Sequence, residues 1–129
     1  MTPRFLTLGQ ILRLHDLSLE EFGGGSGLRD RGALESAASQ PQASFGGELL
    51  HRDLFEMAAA YAFHIAQNQP FIDGNKRAGL LAALMFLALN GVIVRDRDEK
   101  LYDAMIAIAE RRLDKPGLAA LMRELHAPR

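Results

Sequence analysis

Asn68-Gln69-Pro70-Phe71-Ile72-Asp73-Gly74-Asn75-Lys76-Arg77 is the stretch of this chain whose residue types and order could do chemistry. It joins two segments with helical spacing, so a polar loop ends where a largely apolar helix begins. The free backbone N–H groups of that helix start and the positive end of its dipole attract anions. Asn75 adds an amide there, and Lys76 and Arg77 add two fixed cations. Cations in a first helical turn are disfavoured by the dipole, so the pattern implies an anion that offsets them, and phosphate suits such a place. Asp73 supplies the hard carboxylate oxygen that magnesium prefers when it is shared with nucleotide phosphates. Phe71, an aromatic among polar neighbours, is expected to plug into the core and pin the loop. Stripped of its residue order, a polar loop with Asp-Gly ahead of a helix is usually a turn plus a cap.

The elements that must hold this loop are helices. Residues 8–22 place Leu8, Ile11, Leu12, Leu14, Leu17, Leu19 and Phe22 at three- and four-residue steps, with Thr7 as N-cap and Gly23 as stop. The glycine-rich stretch 23–27 costs too much backbone entropy to sit inside regular structure and is predicted to be a mobile loop or tight turn. Asp30 is placed to cap a short helix over 32–39 that Pro41 ends. Residues 42–50 lack a helical period and are read as a loop or small hairpin with Phe45 exposed. A third helix over 53–68 is capped by Asp53, and a fourth over 75–90 is apolar nearly all round, which predicts the buried central helix. Gly91 ends it, Val92-Ile93-Val94 is a short extended piece, and helices over 99–112 and 116–125 follow, the second with Asp114 near its cap. The spacing therefore predicts an all-α fold, a compact bundle of about six helices around a buried central one, in a single domain spanning 1–129.

Composition sets the outer limits. The 129 residues are 48% hydrophobic and 24% charged, which is globular rather than disordered. Fifteen Lys and Arg against sixteen Asp and Glu give a net charge of -1, so no overall field draws the chain to nucleic acid or an anionic membrane, and phosphate chemistry must be local. Cysteine is absent, which excludes disulfides, thiolate nucleophiles and thiolate metal sites from this sequence. Residues 1–8 make a poor secretion signal, and the longest apolar run, 78–89, falls well short of the roughly twenty residues a membrane span needs. A soluble protein of a reducing cytoplasm is expected.

The remaining reactive side chains have structural readings. His15 on the first helix is expected to make a structural hydrogen bond, and His64 on the third to pack or face solvent. His51 and His126 are read as surface residues, and no histidine pair has zinc-ligand spacing. Met57, Met85, Met105 and Met122 read as core filler. Arg111-Arg112 at a helix end suits the dipole and needs no partner.

From Gln69 to Arg77 the loop resembles the signature of the Fic/Doc superfamily, His-x-Phe-x-Asp-Gly-Asn-(Gly/Lys)-Arg, and matches it everywhere except at the first position. Phe5-Leu6-Thr7-Leu8, His15, Glu21-Phe22-Gly23-Gly24, Gly27-Leu28-Arg29-Asp30, Leu34-Glu35-Ser36-Ala37, Pro41 to Gly47, Asn68 and Leu89-Asn90-Gly91 resemble the short Doc ("death on curing") branch, so the likeness covers about the whole chain. Lys76 and Leu80, where AMP-transferring Fic proteins carry Gly and a further Arg, point to the same branch.

The resemblance implies a compact helical toxin of a toxin–antitoxin pair that transfers the γ-phosphate of ATP to a threonine of elongation factor Tu and so arrests translation. By position, Asp73 would hold Mg2+. Gly74, Asn75, Lys76 and Arg77 would bind the nucleotide, and Lys76 with Arg77 would neutralise charge developing on the transferred group. The 42–50 loop would be the flap that positions the target. Gln69 stands where the family has its general-base His, and an amide cannot accept the proton, so fold and loop should survive while chemistry drops by about 10²–10⁴-fold. Either deliberate inactivation or natural loss accounts for it. AMP transfer of the Fic type, and a non-catalytic module that binds nucleotide or antitoxin, are the alternatives. No self-blocking Ser/Thr-x-x-x-Glu helix is seen at either end, so control is expected from a Phd-like antitoxin. A segment of it would fold into an apolar groove near Phe45 and the first helix.

Overall fold

Alanine and glycine decide the centre of this fold. In the computed structural model, which describes residues 2–126, helix α3 (Leu54–Asn68) buries Met57, Ala58, Ala59, Ala60, Tyr61, Ala62, Ile65 and Ala66. Side chains this small let neighbouring helices come close to its axis on several sides. Helices α2 (Arg31–Ser39), α4 (Asn75–Leu89), α5 (Lys100–Ala109) and α6 (Lys115–Leu125) all pack on it, and α1 (Leu8–Phe22) packs on α4 and α2. The architecture is all-α, as the spacing predicted, with six α-helices among the described residues.

The central position is a correction. The apolar run of 75–90 pointed to α4, yet Met85 on that helix is exposed, and Leu80, Leu81 and Leu84 are only partly covered. Of the four methionines read as core filler, only Met57, Met105 and Met122 are buried.

Local hydrogen bonds fix most helix starts where the cap residues stand. Thr7 and Gln10 form a reciprocal capping box at α1, and Asp30, Asp53 and Asp114 each accept from the backbone N–H three residues on. At α5 no residue immediately before the helix does this, and Asp96 instead accepts from the N–H groups of Lys100 and Leu101, both at 2.8 Å. That helix stops at Ala109, short of the predicted 112, because Arg111 turns into the left-handed region at φ 62°. Arg111 and Arg112 therefore lie beyond the helix, and Arg112 pairs with Glu110 rather than standing alone.

The segment between α2 and α3 holds a 3-10 turn, Gln40–Gln42, and a two-strand antiparallel hairpin. Its strands, β1 (Ser44–Phe45) and β2 (Glu48–Leu49), pair Ser44 with Leu49 and Phe45 with Glu48. Phe45 at its tip is 82% exposed. The N-terminal segment is fastened by Tyr61, whose buried hydroxyl accepts from Leu6 N–H at 2.9 Å. Burial pushes that phenol up to about 12, which removes it from proton chemistry. Among the described residues no helix is long and apolar enough to cross a membrane. Met1, the first residue of the segment read as a poor secretion signal, lies outside the described residues.

The closest approach of α3 and α4 depends on Gly79. A Cβ there would lie 2.8 Å from the Ala62 carbonyl oxygen, which belongs to rigid helix backbone. Gly79→Ala gains up to about 1 kcal/mol of helix propensity but forces the two helices apart, at about 1–3 kcal/mol. A net loss of up to about 3 kcal/mol in urea unfolding is expected. A variant as stable as the parent would mean the two helices have slack where they meet.

Candidate active site

The loop between α3 and α4 is held from outside by a strap of backbone. Residues 27–30 run antiparallel to 70–72: Ile72 N–H donates to Gly27 O at 3.1 Å, and Arg29 and Asp30 N–H both donate to Pro70 O, at 2.7 and 3.0 Å. Arg29 then turns its guanidinium onto the end of α3, donating to Gln69 O at 2.7 Å and to Asn68 O at 2.8 Å. Those carbonyls have no partner inside the helix, so one arginine fork caps what an uncapped helix end would leave to water. Asn68 itself donates to Ala33 O at 3.0 Å, tying the same point to α2.

Gln69 sits at this junction in the left-handed region, φ 47°. Its N–H reaches Ile65 O and its carbonyl takes the Arg29 bond, so its fixing contacts run through backbone. Residue 69 is exposed, and no hydrogen bond to its side chain holds the loop.

Inside the loop, Phe71 does what was expected of it. It is 1% exposed and stacks on the buried His15 ring, with centroids 3.8 Å apart and planes 9° from parallel. His15 Nε2 lies 2.8 Å from Asp73 O, and because a carbonyl only accepts, Nε2 carries the proton. The expected structural hydrogen bond of His15 is thus present, and it fixes the backbone of the carboxylate residue. Asn75 was expected to offer its amide to phosphate. Instead its Oδ1 accepts from Phe71 N–H and its Nδ2 donates to Phe71 O, at 2.9 and 3.0 Å. The side chain clamps the loop, which leaves the backbone N–H of Asn75 for an anion.

The glycine-rich stretch is part of the site. Gly25 N–H donates to Asp73 Oδ2 at 3.2 Å, while Gly74 N–H donates to Oδ1 at 2.8 Å. Gly24, at φ 119°, passes so close that a Cβ would lie 2.9 Å from the same carboxylate. Asp73 is thereby aimed into a cleft of about 270 Å³ shared with Ser18, Phe22, Gly24, Lys76, Arg77 and Tyr102. The first turn of α4 faces it without a side-chain cap, in contrast to α1, α2, α3 and α6. Arg77 is held between two rings, its guanidinium 3.6 Å from the Phe22 centroid and 4.5 Å from that of Tyr102. Neither Lys76 nor Arg77 has a carboxylate within ion-pair distance among the described residues. Uncapped amides and two unpaired cations beside one carboxylate are groups that a phosphate sharing a hard metal ion would take. No group of three or more His, Cys, Asp or Glu among the described residues could hold a metal by itself. A single carboxylate that shares the ion with phosphates fits magnesium and does not fit zinc.

Residues 5–87 match the Fic/DOC family. The chain belongs to that family. Protein kinase doc of Escherichia phage P1 is 34% identical over 123 residues, covering 95% of this chain and 96% of that protein. Toxin Doc of Mycolicibacterium smegmatis is 39% identical over 101 residues, 77% of this chain and 78% of the relative. The family match and these two relatives place the chain in the Doc branch, as the signature suggested.

Of the predicted site residues in this Fic/DOC chain, Asp73, Gly74, Asn75, Lys76 and Arg77 line one cleft, and Gln69 stands at the other end of the same loop. Sequence reasoning gave no role to Arg29, Gly24, Gly25 or Tyr102. A lone arginine ahead of a cap residue carries no local signal, because its partners are about forty positions away. Replacing Arg29 by Met uncaps α3 and is expected to cost about 1–2 kcal/mol in denaturant unfolding. Arg29→Lys should recover only part, since an ammonium lacks the fork. Equal stability of Arg29→Met and the parent would show that water serves these carbonyls as well.

Proposed function

We propose that this single domain, 1–129, is a Doc-type toxin, a protein kinase that transfers the γ-phosphate of ATP to a threonine of elongation factor Tu and stops translation in the cytoplasm. One observation carries the reading: Lys76 and a ring-clamped Arg77 stand unpaired at an uncapped helix start beside Asp73. A relative aligned over nearly its whole length is named a protein kinase, and a second is named a toxin.

The chemistry follows from these positions. The first-turn N–H groups of α4 bind nucleotide phosphates, and Lys76 with Arg77 offsets the charge that spreads over the transferred group. Arg77 loses little freedom on binding because Phe22 and Tyr102 already hold it. Asp73 would hold Mg2+, which supplies charge neutralisation to the phosphates when bound. The threonine hydroxyl attacks Pγ, the bond from Pγ to the β–γ bridging oxygen breaks, and ADP leaves with that electron pair. The hydroxyl proton needs an acceptor at residue 69, and Gln69 offers an amide that cannot take it. The chain is therefore a competent binder and a poor catalyst, slower than a histidine form by about 10²–10⁴-fold. Restraint comes from a Phd-like antitoxin, for which the exposed Leu17, Phe45, Leu49 and Leu50 offer apolar contact.

Gln69→His, incubated with ATP, Mg2+ and elongation factor Tu, is expected to add the mass of one phosphate to the factor, and the parent far less. In calorimetry the parent and Gln69→His should bind Mg·ATP alike. Lys76→Ala with Arg77→Ala should bind at least about tenfold more weakly. An added AMP mass would assign the other transfer reaction, and no modification by Gln69→His would overturn the catalytic reading.

A further inference from the structure

On the far side of α3, where α6 packs, lies a second cleft of about 370 Å³ that shares no lining residue with the first. Its wall is made by His51, Arg52 and Glu56 before and within α3, and by Lys115, Pro116, Ala119 and Arg123 of α6. Both carboxylates of this region are committed. Glu56 Oε1 accepts from Arg52 N–H at 2.9 Å, and Asp53 caps α3 through Glu56 N–H and pairs with Arg123, both at 2.8 Å.

The nitrogen groups are not matched in the same way. Lys115 Nζ has no carboxylate within ion-pair distance among the described residues and lies 3.0 Å from His64 Nε2. An ammonium only donates, so His64 is neutral, its proton on Nδ1, and Lys115 keeps two N–H groups for another acceptor. His51 was read as a surface residue, but its Nδ1 is buried and has no hydrogen-bond partner. Burial, then Lys115, then His51 push His64 down to about 4, and burial followed by Lys115 lowers His51 against the opposing pull of Glu56. Burial also lowers Lys115. Burial is the largest cause for all three, so each holds a proton less easily than it would in water.

We propose that this cleft binds a phosphoryl group, held by Lys115 Nζ and the His51 imidazole and flanked by the Arg52 and Arg123 guanidiniums. The lining carries three cations, Arg52, Lys115 and Arg123, against one carboxylate, Glu56, an excess that suits the near-double charge of a phosphoryl group better than the single charge of a carboxylate. The second site neither needs nor supports the phosphotransfer reading. Binding would give Lys115 its counter-charge.

The test uses the Lys76→Ala, Arg77→Ala protein, so that the α4 site does not contribute. Inorganic phosphate is titrated while the imidazole resonances of His51 and His64 are followed by NMR, and adenosine monophosphate is run in parallel. Saturable movement of both rings is expected, weakened at least about tenfold in Lys115→Met and restored in Lys115→Arg. Arg52→Gln, on an exposed residue, should weaken it too and guards against a folding defect in the first variant. Tighter saturation by the nucleotide would assign the phosphoryl group to a nucleotide, and tighter saturation by phosphate to the free ion. Rings that do not move, an unchanged titration in both Lys115→Met and Arg52→Gln, or equal movement with acetate at the same ionic strength would overturn the proposal.

Discussion

The structure depends on how the backbone at the end of α3 is satisfied while the chain turns into α4. A helix end leaves carbonyls without partners and a helix start leaves N–H groups without partners, and here the two stand only a few residues apart. The strap 27–30 and the Arg29 fork take the carbonyls of Asn68, Gln69 and Pro70. Asn75 spends its side chain on Phe71. The N–H groups at the start of α4 receive no side-chain cap. One end of the loop is thus closed and the other left open, and the opening is what an anion can use.

This division explains how the chain tolerates glutamine where its family signature has histidine. The contacts that fix residue 69 run through its backbone, and the ring that pins the loop belongs to Phe71 stacked on His15. The backbone contacts at this junction are thus separate from the side chain of residue 69. The same arrangement keeps Asp73 aimed, since two backbone N–H groups hold its two oxygens before any ligand arrives.

Much of this was legible in the sequence wherever the deciding contact is short-range. Thr7, Asp30, Asp53 and Asp114 cap the helices they precede, because a cap bond spans three residues. Phe71 among polar neighbours was expected to plug into the core, and the break in period at 42–50 pointed to a loop or small hairpin. What escaped depends on residues far apart in the chain. Arg29 meets Gln69, Gly25 meets Asp73, and Arg77 lies between Phe22 and Tyr102, pairings that no local pattern announces. The central helix was misplaced for a related reason. Hydrophobicity counts large side chains, whereas the alanines of α3 make it central by letting neighbours approach.

The loop is organised before any ligand binds. Native-state amide hydrogen exchange on the free protein tests this residue by residue. The account predicts that the N–H groups of Arg29, Asp30, Phe71 and Ile72 are protected nearly as well as those in the middle of α3, since each has a backbone or side-chain partner. Exchange of these four at open-loop rates, while α3 and α4 stay protected, would contradict it and make the loop a feature that the ligand has to create.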